Sequence, residues 1–208
     1  MCLEALDAFL SVNYVPAPLT LVKGIVKLMP GQMLEWQYGG ARLVEFAKRA
    51  CRTSPSTMEE ASEELDSLLS DAVKEQLVSD TPVGIWLSGG LDSSSVLHYA
   101  AAQSAKPVKT FSITFKGSSG DESDHIRRVS EHYGTEHVEF DLHPEADLAG
   151  AIEEMAYYSD EPGADAGALP TWFLSQLTRR HATVALSGEG SDELFAGYLT
   201  YKANRYSA

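Results

Sequence analysis

Residues 82–97 read P-V-G-I-W-L-S-G-G-L-D-S-S-S-V-L, an apolar run that meets a glycine pair and then a helix-forming segment. Positions 83–87 have the length and β-branched content of a buried strand, and Ser88-Gly89-Gly90 has turn chemistry. From Asp92 onward, Val96, Leu97 and Ala100 recur at helical spacing. Strand, loop and helix in this order set unpaired N–H groups and the positive end of a helix dipole beside two glycines that let the backbone approach an anion closely. The stretch reads as a phosphate loop.

A Walker-type loop needs G-x-x-x-x-G-K-S/T, with its Lys reaching the outer phosphates, and no Lys follows these glycines. Ser88, Ser93 and Ser94 offer hydroxyls instead, and the Asp92 carboxylate would repel phosphate unless Mg²⁺ lay between them. Metal-bound pyrophosphate is the expected ligand, against the alternative of a glycine turn that merely starts a helix. On these residues the segment resembles the PP-loop of the ATP pyrophosphatases, which cut ATP between its α and β phosphates and adenylate a substrate. Synthetases making asparagine, GMP, NAD and argininosuccinate share that loop, as do some tRNA-modifying enzymes.

Composition narrows the choice. The chain has 208 residues, 44% of them hydrophobic, enough for one globular core and an appendage. No apolar run approaches the ~20 residues of a membrane span and nothing reads as a signal peptide, so a cytoplasmic location and no membrane partner are expected. Sixteen basic against thirty acidic residues give a formal charge of -14, which disfavours a nucleic-acid partner. The adjacent pairs Arg127-Arg128 and Arg179-Arg180 are expected on solvated helix faces. Cys2 and Cys51 have no metal-ligand or redox spacing and read as reduced thiols, while the six histidines lack the i, i+4 pairing of a helical zinc motif and read as surface residues.

Along the chain, residues 1–13 form an amphipathic helix and Y-V-P-A-P at 14–18 stops it; extended pieces with a turn at Pro30-Gly31 follow. The polar stretch 48–56 reads as a linker. Thr57 and Glu60 then make a capping box for a helix to about residue 78. From 83 onward strands and helices alternate: strands at 83–87, 108–115, 136–140 and 182–186, helices at about 92–104, 122–133, 145–157 and 168–180, and a further helix after the glycine-rich 187–193. This predicts an α/β fold, an open parallel sheet with helices on both faces. With strand 83–87 central, the next two strands on one side and 182–186 on the other, the two S-G loops face each other at the point where strand order reverses. Asp92 and Asp192 then converge, and hard oxygen ligands favour Mg²⁺ over zinc. Helix N-terminal acids favoured by the dipole are the plainer reading of Asp192 and Glu193.

Taken together, L-S-G-G-L-D-S-S and V-A-L-S-G-E-G-S-D-E-L-F-A-G-Y resemble the synthetase domain of the glutamine-dependent (class B) asparagine synthetases, a PP-loop, adenine nucleotide α hydrolase-like fold. The likeness continues through Ser159-Asp160-Glu161-Pro162 and Ala168-Leu169-Pro170-Thr171, and back to Y-V-P-A-P and K-L-M-P-G. It implies that residues 1–47 are the end of an N-terminal nucleophile glutaminase domain, and that 57–208 are the synthetase domain, incomplete at its C-terminus. It also implies that ATP adenylates the aspartate side chain with Mg²⁺ as cofactor, and that ammonia from glutamine displaces AMP.

By position, Ser88, Gly89, Gly90 and Ser93 would hold pyrophosphate and Asp92 and Asp192 the metal. Glu189 would take a proton from ammonia, and Leu87, Ile113, Ser187 and Gly188 would surround adenosine. A homodimer of the full-length parent is the expected assembly. Met1-Cys2 is followed by Leu3-Glu4 and not by the family's M-C-G-I, so Cys2 is not expected to be a glutaminase nucleophile; Gly163 and Ala166-Gly167 replace the Phe and Ser-Ser common in relatives. An enzyme of the same branch adenylating another carboxylate (a peptide, sugar or β-lactam precursor) and a nucleotide-binding module without turnover are the competing readings.

Overall fold

The computed structural model describes residues 1–47, 57–116, 121–142 and 148–206. The linker expected at 48–56, Cys51 and His143 lie outside them. In chain order the elements are α1 (Leu3–Val12), β1 (Gln32–Gln37), β2 (Gly40–Glu45), α2 (Met58–Gln76), β3 (Val83–Trp86), α3 (Leu91–Gln103), β4 (Lys109–Thr114), α4 (Ser123–Tyr133), β5 (Glu136–Asp141), α5 (Leu148–Tyr158), α6 (Ala168–Arg179), β6 (Val184–Leu186), α7 (Ser191–Phe195) and α8 (Leu199–Tyr206). Among the described residues no helix is long and apolar enough to cross a membrane.

The chain divides into two compact units, one of residues 1–54 with 147–169, the other of 55–146 with 170–208. In the first, α1 ends where Asn13 takes a left-handed conformation and its N–H caps Phe9 O, and the antiparallel pair β1–β2 is closed through the Gly39 turn. The Asn13 carbonyl accepts from Ala164 N–H at 3.1 Å, and Lys27 forms an ion pair with Glu161 while donating to Val15 O at 2.6 Å. These long-range bonds explain why 159–167, which has no regular structure, packs with the start of the chain.

The second unit is a four-stranded parallel sheet in the order β5-β4-β3-β6, with the central strand and the side on which each neighbour adds as the sequence predicts. Period-two alternation sends Ile85 and Leu87 to one face, where they pack with Val73, Leu97, Ala100 and Ile126 of α2, α3 and α4. On the other face Trp86 and Phe111 pack with Leu174 and Leu177 of α6, so helices cover both sides. Gly84 in β3 makes room for Phe111, whose ring would lie 2.3 Å from a Cβ there. Thr57 Oγ1 accepts Glu60 N–H at 3.1 Å to start α2, and Gly134 closes α4 in the left-handed region.

Two expectations need correction. The strand expected at 182–186 starts only at Val184, because Ala182 N–H still bonds Thr178 O at 2.8 Å in the turn that follows α6. His137 is not a surface residue: its Nδ1 lies 2.9 Å from Thr110 Oγ1, its Nε2 is buried, and burial lowers the imidazole's pKa. Arg127 stays on the exposed face of α4, as expected, and pairs there with β5. Its Nη2 donates to Glu139 Oε1 at 2.7 Å and its Nε to Oε2 at 3.1 Å, and this pairing holds the Glu139 carboxyl below its usual range.

β4 carries a column of buried hydroxyls, Thr110, Ser112 and Thr114. The Ser112 hydroxyl donates to Leu87 O, at the point where the chain leaves β3 for the glycine loop.

Candidate functional site

The loop after β3 is held by its own side chains. Ser93, in the first turn of α3 and 5% exposed, turns back so that Oγ accepts Ser88 N–H at 3.2 Å and meets Ser88 Oγ at 2.9 Å. Ser88 Oγ in turn accepts Gly90 N–H at 3.3 Å. Gly89 has φ +76°, and a Cβ there would lie 2.9 Å from Ile126 N in α4, so only glycine lets the loop pass this closely.

The loop after β6 reaches the same place. A Cβ on Gly188 would stand 2.8 Å from both Asp92 Cβ and Ser93 N, which means that the second loop rests directly on the first turn of α3. Glu189 follows, exposed, with its N–H 3.4 Å from Ser187 Oγ, and Gly190 at φ +90° caps α7. Asp192 lies in that short helix with its side chain against Gly197, where a Cβ would meet Oδ1 at 1.8 Å.

Between the loops and the strand ends is a cavity of about 390 Å³, within the range of small-molecule sites. Its apolar lining comes from strand ends, α4 and α6: Trp86, Leu87, Ile113, Phe115, Ile126 and Leu174. The polar lining comes mainly from the loops: Ser88, Asp92 and Ser93 from one, Ser187, Gly188, Glu189, Gly190 and Asp192 from the other. Of the residues singled out by sequence, Leu87, Ser88, Asp92, Ser93, Ile113, Ser187, Gly188, Glu189 and Asp192 are brought together here, whereas Gly89 and Gly90 shape the loop without lining the cavity.

Trp86, Glu122, Thr171 and Tyr198 also line it and were not among those candidates. Thr171 and Tyr198 stood in the motifs that carry the resemblance, but nothing local marks Trp86 or Glu122. Tyr198 donates to Glu193 Oε1 at 3.0 Å, and that bond pushes the phenol up to about 12.

The carboxylates Asp92, Glu122, Glu189 and Asp192 line the cavity, and no Lys or Arg does so among the described residues. Such a lining favours a polyphosphate that arrives with cations. Mg²⁺ fits this donor set, because it takes one or two carboxylates plus phosphate oxygens in place of an all-protein cage. No group of three or more His, Cys, Asp or Glu able to hold a metal by itself occurs among the described residues.

Residues 64–208 match the family model described as asparagine synthase. The chain is 32% identical over 200 residues to glutamine-hydrolyzing asparagine synthetase 1 of Bacillus subtilis (strain 168), covering 96% of this chain and 31% of that protein. With asparagine synthetase 3 of the same organism it is 31% identical over 193 residues, 86% of this chain and 31% of the relative. The chain thus spans about a third of the length of these curated relatives. Among solved structures, an NH3-dependent NAD synthetase from Campylobacter jejuni is similar at 15% identity with TM-score 0.45, over 65% of this chain and 60% of that one. With a family match over the whole span that carries the sheet and both glycine loops, the chain belongs to the asparagine synthase family.

Proposed function

We propose that this chain carries the synthetase site of a glutamine-hydrolysing asparagine synthase, in which ATP adenylates the aspartate side-chain carboxylate and ammonia then displaces AMP. The observation that carries this reading is the contact of Gly188 with Asp92 and Ser93, which makes one cavity of two loops almost a hundred residues apart. In it, Ser88 and Ser93, with the backbone at Gly89 and Gly90, hold the departing pyrophosphate. Leu87, Ile113, Ser187 and Gly188 surround adenosine. Asp92 and Asp192 would hold Mg²⁺, which when bound neutralises charge on the pyrophosphate leaving group.

The chemistry asked of the chain is positioning and proton transfer. A carboxylate has no leaving group for amide formation, and attack of its oxygen on the α-phosphate of ATP supplies one, AMP, with pyrophosphate released. Glu189, exposed at the cavity wall, takes the proton that ammonia loses as it attacks the acyl carbon. In the same reading residues 1–47 are the end of a glutaminase domain, joined by a linker at 48–56 to the synthetase domain from 57 onward. The parent is a cytoplasmic homodimer.

The test is pyrophosphate release by the full-length parent with Mg²⁺, ATP and ammonia against a panel of carboxylic acids. Release dependent on aspartate, with asparagine formed, supports the proposal. Dependence on another acid places the chain in the same reaction class with a different substrate. Nucleotide binding with no acid-dependent release would reduce it to a binding module.

A further inference from the structure

We infer that Trp86 is a base-recognising residue of the cavity and that Thr178 is the positioning residue that fixes its ring; the inference rests on the nucleotide reading above. Trp86 closes β3 immediately before the glycine loop and lines the cavity, so it stands where the apolar lining meets the phosphate-suited one. Its indole packs into the cluster of Phe111, Leu174 and Leu177 on the α6 face of the sheet. The indole N–H donates to Thr178 Oγ1 at 2.9 Å, and the Thr178 hydroxyl, 5% exposed, donates to Leu174 O at 2.7 Å. Every polar atom of this chain of bonds is satisfied within an apolar cluster.

Core filling alone does not ask for such an arrangement. A Leu or Phe would fill the space without a buried acceptor, whereas Trp at this position requires Thr178. The hydrogen-bond chain gives one orientation to a large aromatic ring at a cavity wall. A fixed aromatic surface beside loops suited to polyphosphate recognises what ATP has and inorganic polyphosphate lacks, a flat heteroaromatic base, and it does so by stacking or close ring contact. Thr178 acts through Trp86 and through the Leu174 carbonyl of α6, without itself lining the cavity.

The experiment compares two probes, Mg·ATP and Mg·tripolyphosphate, titrated calorimetrically into the wild-type chain, Trp86→Leu, Thr178→Val and Thr178→Ser. Wild type should prefer ATP. Trp86→Leu should weaken ATP about tenfold or more while tripolyphosphate stays within about twofold. Thr178→Val should lose part of the ATP preference and Thr178→Ser, which keeps the hydroxyl, should recover it. If Trp86→Leu does not unfold cooperatively, Trp86→Phe serves, with an intermediate loss for ATP alone.

Equal weakening of both probes, or unchanged ATP affinity, would overturn the role of Trp86 and leave the nucleotide site standing. So would a wild type that binds both probes equally. A wild type that binds neither probe would overturn the nucleotide reading itself, and this inference with it.

Discussion

Replacing Gly188 by Ala tests the contact on which the whole site depends. Gly188 has no left-handed φ, so Ala is conformationally acceptable and the perturbation is steric only. The new Cβ would meet Asp92 Cβ and Ser93 N at 2.8 Å and Asp92 C at 2.9 Å. Two of these are backbone atoms in the first turn of α3 and cannot rotate away. To reach an ordinary contact of about 3.5 Å, the loop after β6 must retreat by roughly 0.7 Å. Overpacking of this kind costs about 1–3 kcal/mol, and displacing reacting groups by about 1 Å can cost on the order of 10²-fold in rate.

Gly188→Ala should therefore lower Mg·ATP affinity or acid-dependent pyrophosphate release by about tenfold or more. Because Gly188 lies outside the strands, the far-UV circular dichroism should not change. Gly40→Ala, where a Cβ meets nothing within 4 Å, is the matched control and should behave as wild type. A Gly188→Ala protein that binds and turns over within twofold of wild type would refute the claim that the two loops form one site.

Asp92→Asn and Asp192→Asn should each weaken Mg²⁺-dependent nucleotide binding by about tenfold, and the double variant should add little to either; fully additive losses in titrations would separate the two acids. Gly84→Ala should destabilise the sheet by about 1–3 kcal/mol in urea unfolding, since the Phe111 ring stands 2.3 Å from the new Cβ and is itself fully buried. His137, kept neutral by burial, has a folded pKa below its unfolded value of about 6.5. The unfolded chain therefore binds the extra proton first, and stability falls as pH drops below about 6.5 towards the folded value. Urea midpoints at pH 7.5 and 5.5 should differ more for wild type than for His137→Gln, and equal differences would remove His137 as the source.

The strands themselves, the position of both glycine loops and the helix caps at Thr57 and Gly134 were legible because each has a local cause: β-branched runs, a side-chain acceptor at a helix start, a glycine where φ is positive. What stayed hidden depends on partners distant in sequence. Nothing near Trp86 announces Thr178, whose hydroxyl it reaches 92 residues on. His137 is buried by pairing of β5 with β4, so its own polar neighbourhood, E-H-V-E-F, misled the surface reading. The late start of β6 reflects a competition for one amide, Ala182 N–H, which the turn after α6 wins. Glu122 lines the cavity because α4 brings its N-terminus to the end of β4, an outcome of packing that an acidic D-E-S-D run does not encode.

The hydroxyl of Ser112 on Leu87 O bears on how motion reaches the glycine loop. Leu87 N–H is held by Phe111 O at 2.9 Å and Leu87 O by Ser112, so this residue is clamped by β4 at both of its peptide groups although it lies beyond the last ladder pair of β3. Ser88, next in the chain, takes its bonds from Ser93 within the loop. The boundary between sheet and loop is one peptide wide. Amide hydrogen exchange should record it as a step, with Leu87 protected on the timescale of global opening and Ser88 on that of the loop, so that rearrangement on ligand arrival hinges at Ser88 and leaves the central strand still.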